Sequence, residues 1–281
     1  MCSGGESLES EKTYLEGYHI ESYDRPSVAT DVVVYTIRQD DSDSFRKDPQ
    51  KKLSILLIER GEHPFKNKWA LPGGFVRMDE TVPEAAMREV REETGVNPTA
   101  LVCNGVFSNL NRDPRGRIIS NAFTCILKND EKATAGTDAS NAGWFDISFA
   151  TDNDCCVISF TKDDITFEVK LTKSESTAGM TNYSTVGESP LAFDHAEIIL
   201  TSFLQLRERA ESFGYIFDFL PSEFTLAELQ RVQETLTGRV SAAANFRRKA
   251  SEYVEETGNM SGGAGHRPAM LYRKKVQKDA E

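Results

Sequence analysis

The β-branched run from Val28 to Ile37 and the apolar run from Leu53 to Ile58 predict two paired strands of a buried sheet. A charged loop holding Asp40, Asp41, Asp43, Lys47 and Asp48 separates them, and its composition suits a mobile turn. Leu101 to Asn109 and Ile118 to Leu127 read as further strands, and Ala142 to Ile147, with Trp144 and Phe145, as a short core strand. Val157 to Thr161 and Thr166 to Leu171 flank Lys162-Asp163-Asp164-Ile165 as a hairpin. Two segments switch to helical spacing. In Pro83 to Thr94, Pro83 suits a first turn, Ala85, Ala86, Met87 and Val90 form an apolar stripe, and Gly95 supplies the stop. In Leu191 to Ser212, Ala196, Ile199, Leu200, Phe203, Leu204 and Leu206 keep the same period before Gly214. Lys173 to Ser189 reads as a Ser/Thr/Gly linker or surface loop, and the first two dozen residues as a loose arm or a short addition to the first domain.

Beyond Gly214 the pattern restarts. Thr225 stands three residues before Glu228, the spacing of a capping box, which predicts a helix running to Gly238. A second helix over Ser241 to Val254 carries Asn245, Arg247, Arg248 and Lys249, followed by a Gly-rich hairpin over Gly258 to Gly265 and a short basic strand over Met270 to Lys275. Helix, tight turn, basic helix and hairpin make a winged helix-turn-helix. The fold class is therefore α+β, with an arm over 1–24, a first domain over 25–214 and a DNA-binding domain over 215–281.

Length and composition agree with two domains of a soluble globular protein: 281 residues, 39% hydrophobic and 27% charged. No apolar stretch approaches the eighteen or so residues of a membrane span, and Met1 to Gly17 lacks the basic start and apolar core of a secretory signal, which points to the cytoplasm and away from membranes. Cys2, Cys103, Cys125, Cys155 and Cys156 show neither a disulfide framework nor zinc spacing. The net charge of −11 argues against a uniformly basic nucleic-acid coat, but its distribution does not. Arg239 to Lys278 holds nine Lys/Arg against three Glu, a surplus of six, which leaves −17 on the remainder. A basic module on an acidic body suggests a localised nucleic-acid contact.

The sharpest chemical signal lies between Gly74 and Val96, GFVRMDETVPEAAMREVREETGV. It fills every slot of Gly, five residues, Glu, seven residues, Arg-Glu-apolar-any-Glu-Glu-any-Gly-apolar, a coincidence expected at a given start on the order of once in 10^9. On the helix, Glu89, Glu92 and Glu93 stand at i, i+3 and i+4, so their carboxylates share one face within reach of a common ion. Neighbouring like charges cost roughly 0.2–0.5 kcal/mol per pair, a sign that a hard divalent cation reverses. Oxygen-only ligands select Mg²⁺ or Mn²⁺. Arg88 can fix a neighbouring carboxylate, Glu80 or Glu89, in a fork, while Gly73 and Gly74 let backbone approach a metal or a phosphate.

This pattern is the Nudix box, and the chain resembles the Nudix superfamily, whose members hydrolyse nucleoside diphosphates linked to another group. The resemblance implies a Nudix α/β/α sandwich with a mixed sheet. It implies Glu89, Glu93 and Glu92 as metal ligands beside Gly73, and a catalytic group of Glu92, Arg88 and Glu80; the general base stays unassigned. With the phrases WALPGGFVRM from Trp69, RDPRGRIIS from Arg112, AFDHAE from Ala192, FTLAELQ from Phe224, NFRRK from Asn245 and RPAMLYR from Arg267, the chain looks like the Nudix-related transcriptional regulators of NAD metabolism. That likeness implies ADP-ribose or a related nucleotide as ligand, a palindromic double-stranded DNA operator and a homodimer. Arg112, Arg115 and Arg117 become diphosphate contacts, less so Arg117, which enters a strand, and Trp69 either a base or ribose platform or a core residue. Asn111 stands where the family often has Gly. Asn245, Arg247, Arg248, Lys249 and Arg267 become DNA contacts, and His195 a structural or orienting histidine. Three functions fit: a hydrolase coupled to DNA binding, a silent nucleotide sensor that represses transcription, and a housekeeping hydrolase whose tail only dimerises.

Overall fold

The structure is a computed structural model and describes residues 5–39, 51–128, 133–134, 136, 139–152, 154–174, 182–262 and 268–276. The charged loop after Gln39, Cys2 and the wing tip containing Arg267 lie outside the described residues. In chain order the elements are α1 (Gly5–Glu16), β1 (Ser27–Gln39), β2 (Lys51–Arg60), β3 (Trp69–Ala70), β4 (Gly73–Phe75), α2 (Val82–Thr94), β5 (Val102–Phe107), β6 (Ile118–Ile126) and β7 (Ala139–Thr151). They continue with β8 (Cys155–Lys162), β9 (Ile165–Ser174), β10 (Asn182–Thr185), α3 (His195–Glu211), α4 (Leu226–Thr237), α5 (Ala243–Ala250), β11 (Val254–Met260) and β12 (Met270–Lys274).

One mixed sheet runs β10-β9-β8-β7-β2-β1-β6-β5, with β3 added beside β2 and β4 beside β1. Its centre is β1, parallel to β6 (Val32 opposite Phe123) and antiparallel to β2 (Tyr35 opposite Ile55). Because side chains alternate along a strand, β1 divides its apolar residues between two cores. Val32 and Val34 join Leu56, Phe123, Cys125 and Trp144 under Ala86 and Val90 of α2. Val33 and Tyr35 join Ile55, Leu57 and Phe145 under Ala196, Ile199, Leu200 and Phe203 of α3. The first domain is thus a three-layer α/β/α sandwich, each fully buried Val, Leu, Ile or Phe contributing about 1.5–3 kcal/mol. A charge at Val90 or Phe203 would break one layer.

The winged helix-turn-helix has no separate core. Leu229, Val232 and Leu236 of α4, with Phe246 and Ala250 of α5, belong to the same apolar cluster as the α3 face of the sheet. The connector is packed as well, since Ile216, Phe217 and Phe219 of a 3-10 turn and Leu220 are buried. Gln233 Nε2 donates to the Ala210 carbonyl of α3 at 2.9 Å. Phe224 exchanges both backbone hydrogen bonds with Tyr272 of β12, at 3.0 and 2.8 Å, and so ties the wing to the start of α4.

Several expectations need correction. The N-terminal arm forms a helix, α1, whose residues from Glu11 onward bury nothing; Tyr14 and Tyr18, one turn apart, pack on each other instead at 5.7 Å. The short strand at Trp144 extends over thirteen residues because it pairs with both β2 and β8. Within the supposed linker, β10 adds to the β9 edge. α3 begins only at His195, since Phe193 takes a φ of +52°, outside the right-handed helical region. α5 stops at Ala250, and Val254 is already paired with Lys274 in the wing. No helix among the described residues is long and apolar enough to cross a membrane.

Candidate functional site

The box helix α2 is fixed at both ends. The Glu84 carboxylate accepts from the Thr81 backbone N–H (2.8 Å) and hydroxyl (2.7 Å), and Gly95, at φ +71°, returns its N–H to Arg91 at 3.0 Å. Ala85, Ala86, Val90 and Thr94 are buried against the sheet, which leaves Glu89, Glu92 and Glu93 on the other side of the helix. Arg88 organises this acidic face. Its Nε and Nη2 grip Glu80 at 2.9 and 2.5 Å, Nη1 reaches Glu89 at 2.7 Å and Glu92 at 3.1 Å, and Nη2 also meets the Phe75 carbonyl at 3.2 Å. The Arg88 fork holds the Glu80 carboxyl down at about 2. Burial pushes Glu89 up, against the pull of Arg88.

Gly73 donates its N–H to Glu93 Oε2 at 2.9 Å. A methyl group on Gly73 would collide with the Thr30 carbonyl oxygen, and one on Gly74 with the Glu89 carboxylate. This close approach, rather than a left-handed φ, is what requires glycine here. Among the described residues no three His, Cys, Asp or Glu side chains are already gathered around one point. Each carboxylate is held by a donor of this chain. The donor set still fits a hard divalent cation, with anionic oxygens alone on one helix face and a loop with no side chain to obstruct them.

Behind the loop lies a buried ionic network. Arg112, its side chain 4% exposed, forks onto Asp194 at 2.9 and 2.7 Å and reaches Asp31 at 3.0 Å. Asp31 also accepts from Ser120 at 2.5 Å and lies 3.3 Å from His195 Nε2. His195 Nδ1 accepts from the Leu71 N–H at 2.9 Å, which leaves Nε2 as the ring nitrogen that faces Asp31. Burial alone would raise the Asp31 carboxyl; His195, Arg112 and Ser120 together reverse that and hold it well below the usual carboxylate range.

This network revises the expected ligand contacts. Arg112 grips two carboxylates of its own chain and sets the wall of the cleft, instead of presenting a free fork. Trp69 is a core residue, edge-on to Phe145 at 4.7 Å. Arg117 donates to the Ser108 carbonyl at 2.8 Å on the surface. Arg115 remains partly exposed beside a cleft of about 100 Å³ that Gly73, Gly74, Arg60 and Phe193 also line. A roomier cavity of about 480 Å³ between β7, β8 and the end of α4 contains none of the box residues, so chemistry rather than size locates the site.

At the other end of the molecule α5 rests on Phe246 and Ala250 and exposes Asn245, Arg247, Arg248 and Lys249. None of these three cations makes an ion pair among the described residues, whereas in the wing Arg273 is tied to Glu255 at 2.7 Å and Lys275 to the Ser251 carbonyl at 2.7 Å.

Comparison with known proteins accounts for both ends. The NUDIX domain matches residues 37–154 and the NrtR DNA-binding winged helix domain matches residues 216–274. An ADP-ribose pyrophosphatase of Methanocaldococcus jannaschii is 40% identical over 137 residues, 49% of this chain and 70% of that protein. This chain belongs to the Nudix family. The ADPR responsive transcriptional repressor NtrR of Acinetobacter baylyi is 27% identical over 275 residues, covering 96% of this Nudix protein and 91% of the repressor. The crystal structure of Shewanella oneidensis NrtR complexed with a 27mer DNA, 26% identical, covers 88% of this chain and 93% of that one with a TM-score of 0.59. The Nudix protein therefore joins a Nudix sandwich to a DNA-binding winged helix domain. Asp31, Arg60, Phe193 and Asp194 escaped sequence reasoning, although the lone carboxylate of Asp31 inside a β-branched run is a signal that could have exposed the network.

Proposed function

We propose that this Nudix protein is a nucleotide-controlled transcription regulator of NAD-related genes. Its front half takes ADP-ribose or a related nucleoside diphosphate derivative, and its rear half holds operator DNA as part of a homodimer. The observation that carries the reading is the presence, in one chain, of an undamaged carboxylate face on α2 and a cationic face on α5 that makes no ion pair among the described residues. An ADP-ribose pyrophosphatase matches about half of the chain, and an ADPR responsive transcriptional repressor and an NrtR crystallised with a 27mer DNA match most of it, in keeping with this division.

Retained hydrolysis is part of the proposal. Glu89, Glu92 and Glu93, with the Gly73 backbone, would hold Mg²⁺ or Mn²⁺, which when bound neutralises phosphate charge and makes water a better nucleophile. The chain's own contribution is orientation. Arg88 keeps Glu80, Glu89 and Glu92 from scattering into solvent, and Gly73 and Gly74 admit a phosphate close to the backbone. In the rear half, Arg247, Arg248, Lys249 and Asn245, and Arg267 beyond the described residues, would meet phosphates and base edges.

The full-length protein should release AMP from ADP-ribose in Mg²⁺, and should shift its own upstream DNA in a manner that weakens steeply between two salt concentrations. ADP-ribose should change that DNA affinity. A protein that hydrolyses but shows no salt-dependent DNA binding would be a housekeeping enzyme and would sink the regulator reading. One that binds DNA and ADP-ribose without turnover would retain only the sensor.

A further inference from the structure

A second cavity lies where the sheet of the first domain meets the winged helix domain. About 480 Å³ is bounded by the start of β2, by β7 and β8, by the second half of α3 and by the last turn of α4, and it shares no lining residue with the cleft beside Gly73 and Gly74. Its apolar wall is Leu53, Ile147 and Leu236 with a parallel ring pair, Phe149 and Phe203, whose centroids stand 3.6 Å apart and whose planes differ by 4°. Arg207, one turn after Phe203 on α3, holds its guanidinium carbon 5.6 Å from the centre of that ring. It is half-buried, and among the described residues its guanidinium makes no hydrogen bond or ion pair. With Lys51 and Lys52 it gives the lining three cations against one carboxylate, Asp146, a surplus of two on a chain whose net charge is −11. Asp146 is itself occupied, by the Ser54 hydroxyl at 2.8 Å and Lys52 Nζ at 3.7 Å. The negative end of α4 is blunted as well, since the Gly238 N–H returns to the Glu234 carbonyl and the Thr237 hydroxyl to the Gln233 carbonyl, both at 2.8 Å.

Each of these features selects for a guest. A volume between about 300 and 1,000 Å³ at the junction of two domains, with an apolar wall and a few convergent polar groups, is the form that small-molecule sites take. A half-buried guanidinium without a counter-ion has lost part of its hydration, and an anion seated beside it would replace that loss with a charge-assisted hydrogen bond. The ring pair decides the shape of the anion, because a flat aromatic body can pack along the rings while its charged group meets Arg207. α4 forms one side and the sheet the other, so a seated guest bridges the two halves. We propose that this seam is a second ligand site, for a small flat organic anion, with Arg207 as its charge anchor and Phe149 and Phe203 as its apolar wall.

Fluorescence titration of the full-length protein tests the site with anilinonaphthalene sulfonate, a flat aromatic monoanion, and phenylnaphthylamine, its uncharged counterpart. The sulfonate should saturate one site per chain, and the uncharged probe should bind on the order of tenfold more weakly. Arg207→Gln should weaken the sulfonate on the order of tenfold and leave the uncharged probe unchanged. An unchanged melting curve for this variant separates lost recognition from lost folding. Thr235→Trp, which fills the cavity from α4, should exclude both probes. Excess ADP-ribose in EDTA should displace neither. The site is overturned if Arg207→Gln and Thr235→Trp both bind the sulfonate within about twofold of wild type, if wild type binds the two probes equally, or if ADP-ribose displaces the sulfonate. A sulfonate affinity that falls as protein concentration rises would assign the seam to a second copy of the chain and overturn it equally.

Discussion

The two halves of this molecule handle charge in opposite ways. Around the Nudix box, Arg88, Arg112 and Arg115 each grip carboxylates of their own chain, and the Arg112 network is sealed from solvent. On α5, Arg247, Arg248 and Lys249 stand in solvent without an ion pair among the described residues. The difference follows the shape of the partner. A small ligand is recognised by groups already fixed in place, because ordering them at the moment of binding would weaken affinity. A polyanion offers charge every few ångströms, so solvated side chains can find a phosphate and release counterions. Fixed charges should therefore govern stability and chemistry, and free ones the salt dependence of binding.

The largest expected effect is on folding. Arg112→Ala leaves Asp31 and Asp194 buried without their guanidinium and should cost about 3–5 kcal/mol in urea unfolding, whereas Arg247→Ala should stay within about 0.5 kcal/mol. Comparable losses would erase the contrast between the halves. The same network has a signed pH dependence. Asp31 is depressed in the folded state, so its contribution is present in full above the unfolded carboxylate value of about 4 and is lost as pH falls toward the folded value. The stability gap between wild type and Asp31→Asn should accordingly narrow on acidification below about pH 4; a widening gap would mean the carboxylate is not held as described.

Glu93→Gln comes next, with AMP release from ADP-ribose expected to fall on the order of a hundredfold or more while DNA binding stays intact. Arg247→Ala and Arg248→Ala should each flatten the plot of log affinity against log salt by about one, with hydrolysis unchanged. A uniform loss of both activities in any of these variants would show that the halves cannot be separated. The smallest effect belongs to the α4 cap: Thr225→Ala removes the hydroxyl that meets the Glu228 N–H at 3.2 Å and should cost about 1 kcal/mol in thermal melting.

What the sequence disclosed and what it concealed divide along contact distance. α2, α4 and the central strands were legible because caps, stops and alternation are local; Thr225, Gly238, Gly95 and the run from Val28 to Ile37 each act within a few residues. The acidic face was legible for the same reason, since helical spacing alone collects Glu89, Glu92 and Glu93. The network around Arg112 was not legible because its partners, Asp31 and Asp194, lie about eighty residues away on either side, and an Arg beside Arg115 and Arg117 in a polar loop looks like a ligand contact. The ends of β7 and α5 were misjudged for a related reason. Neighbours β2 and β8 extend the first, and pairing of Val254 with Lys274 truncates the second.

The seventeen residues of α3, roughly 25 Å of helix, begin at His195 in the cleft wall and end beside Ala210, where Gln233 of α4 is docked. The winged helix domain is thus mounted on a stiff strut rooted in the wall of the cleft, with no slack tether in between. A tilt at the root would reappear, lengthened by leverage, at the far end.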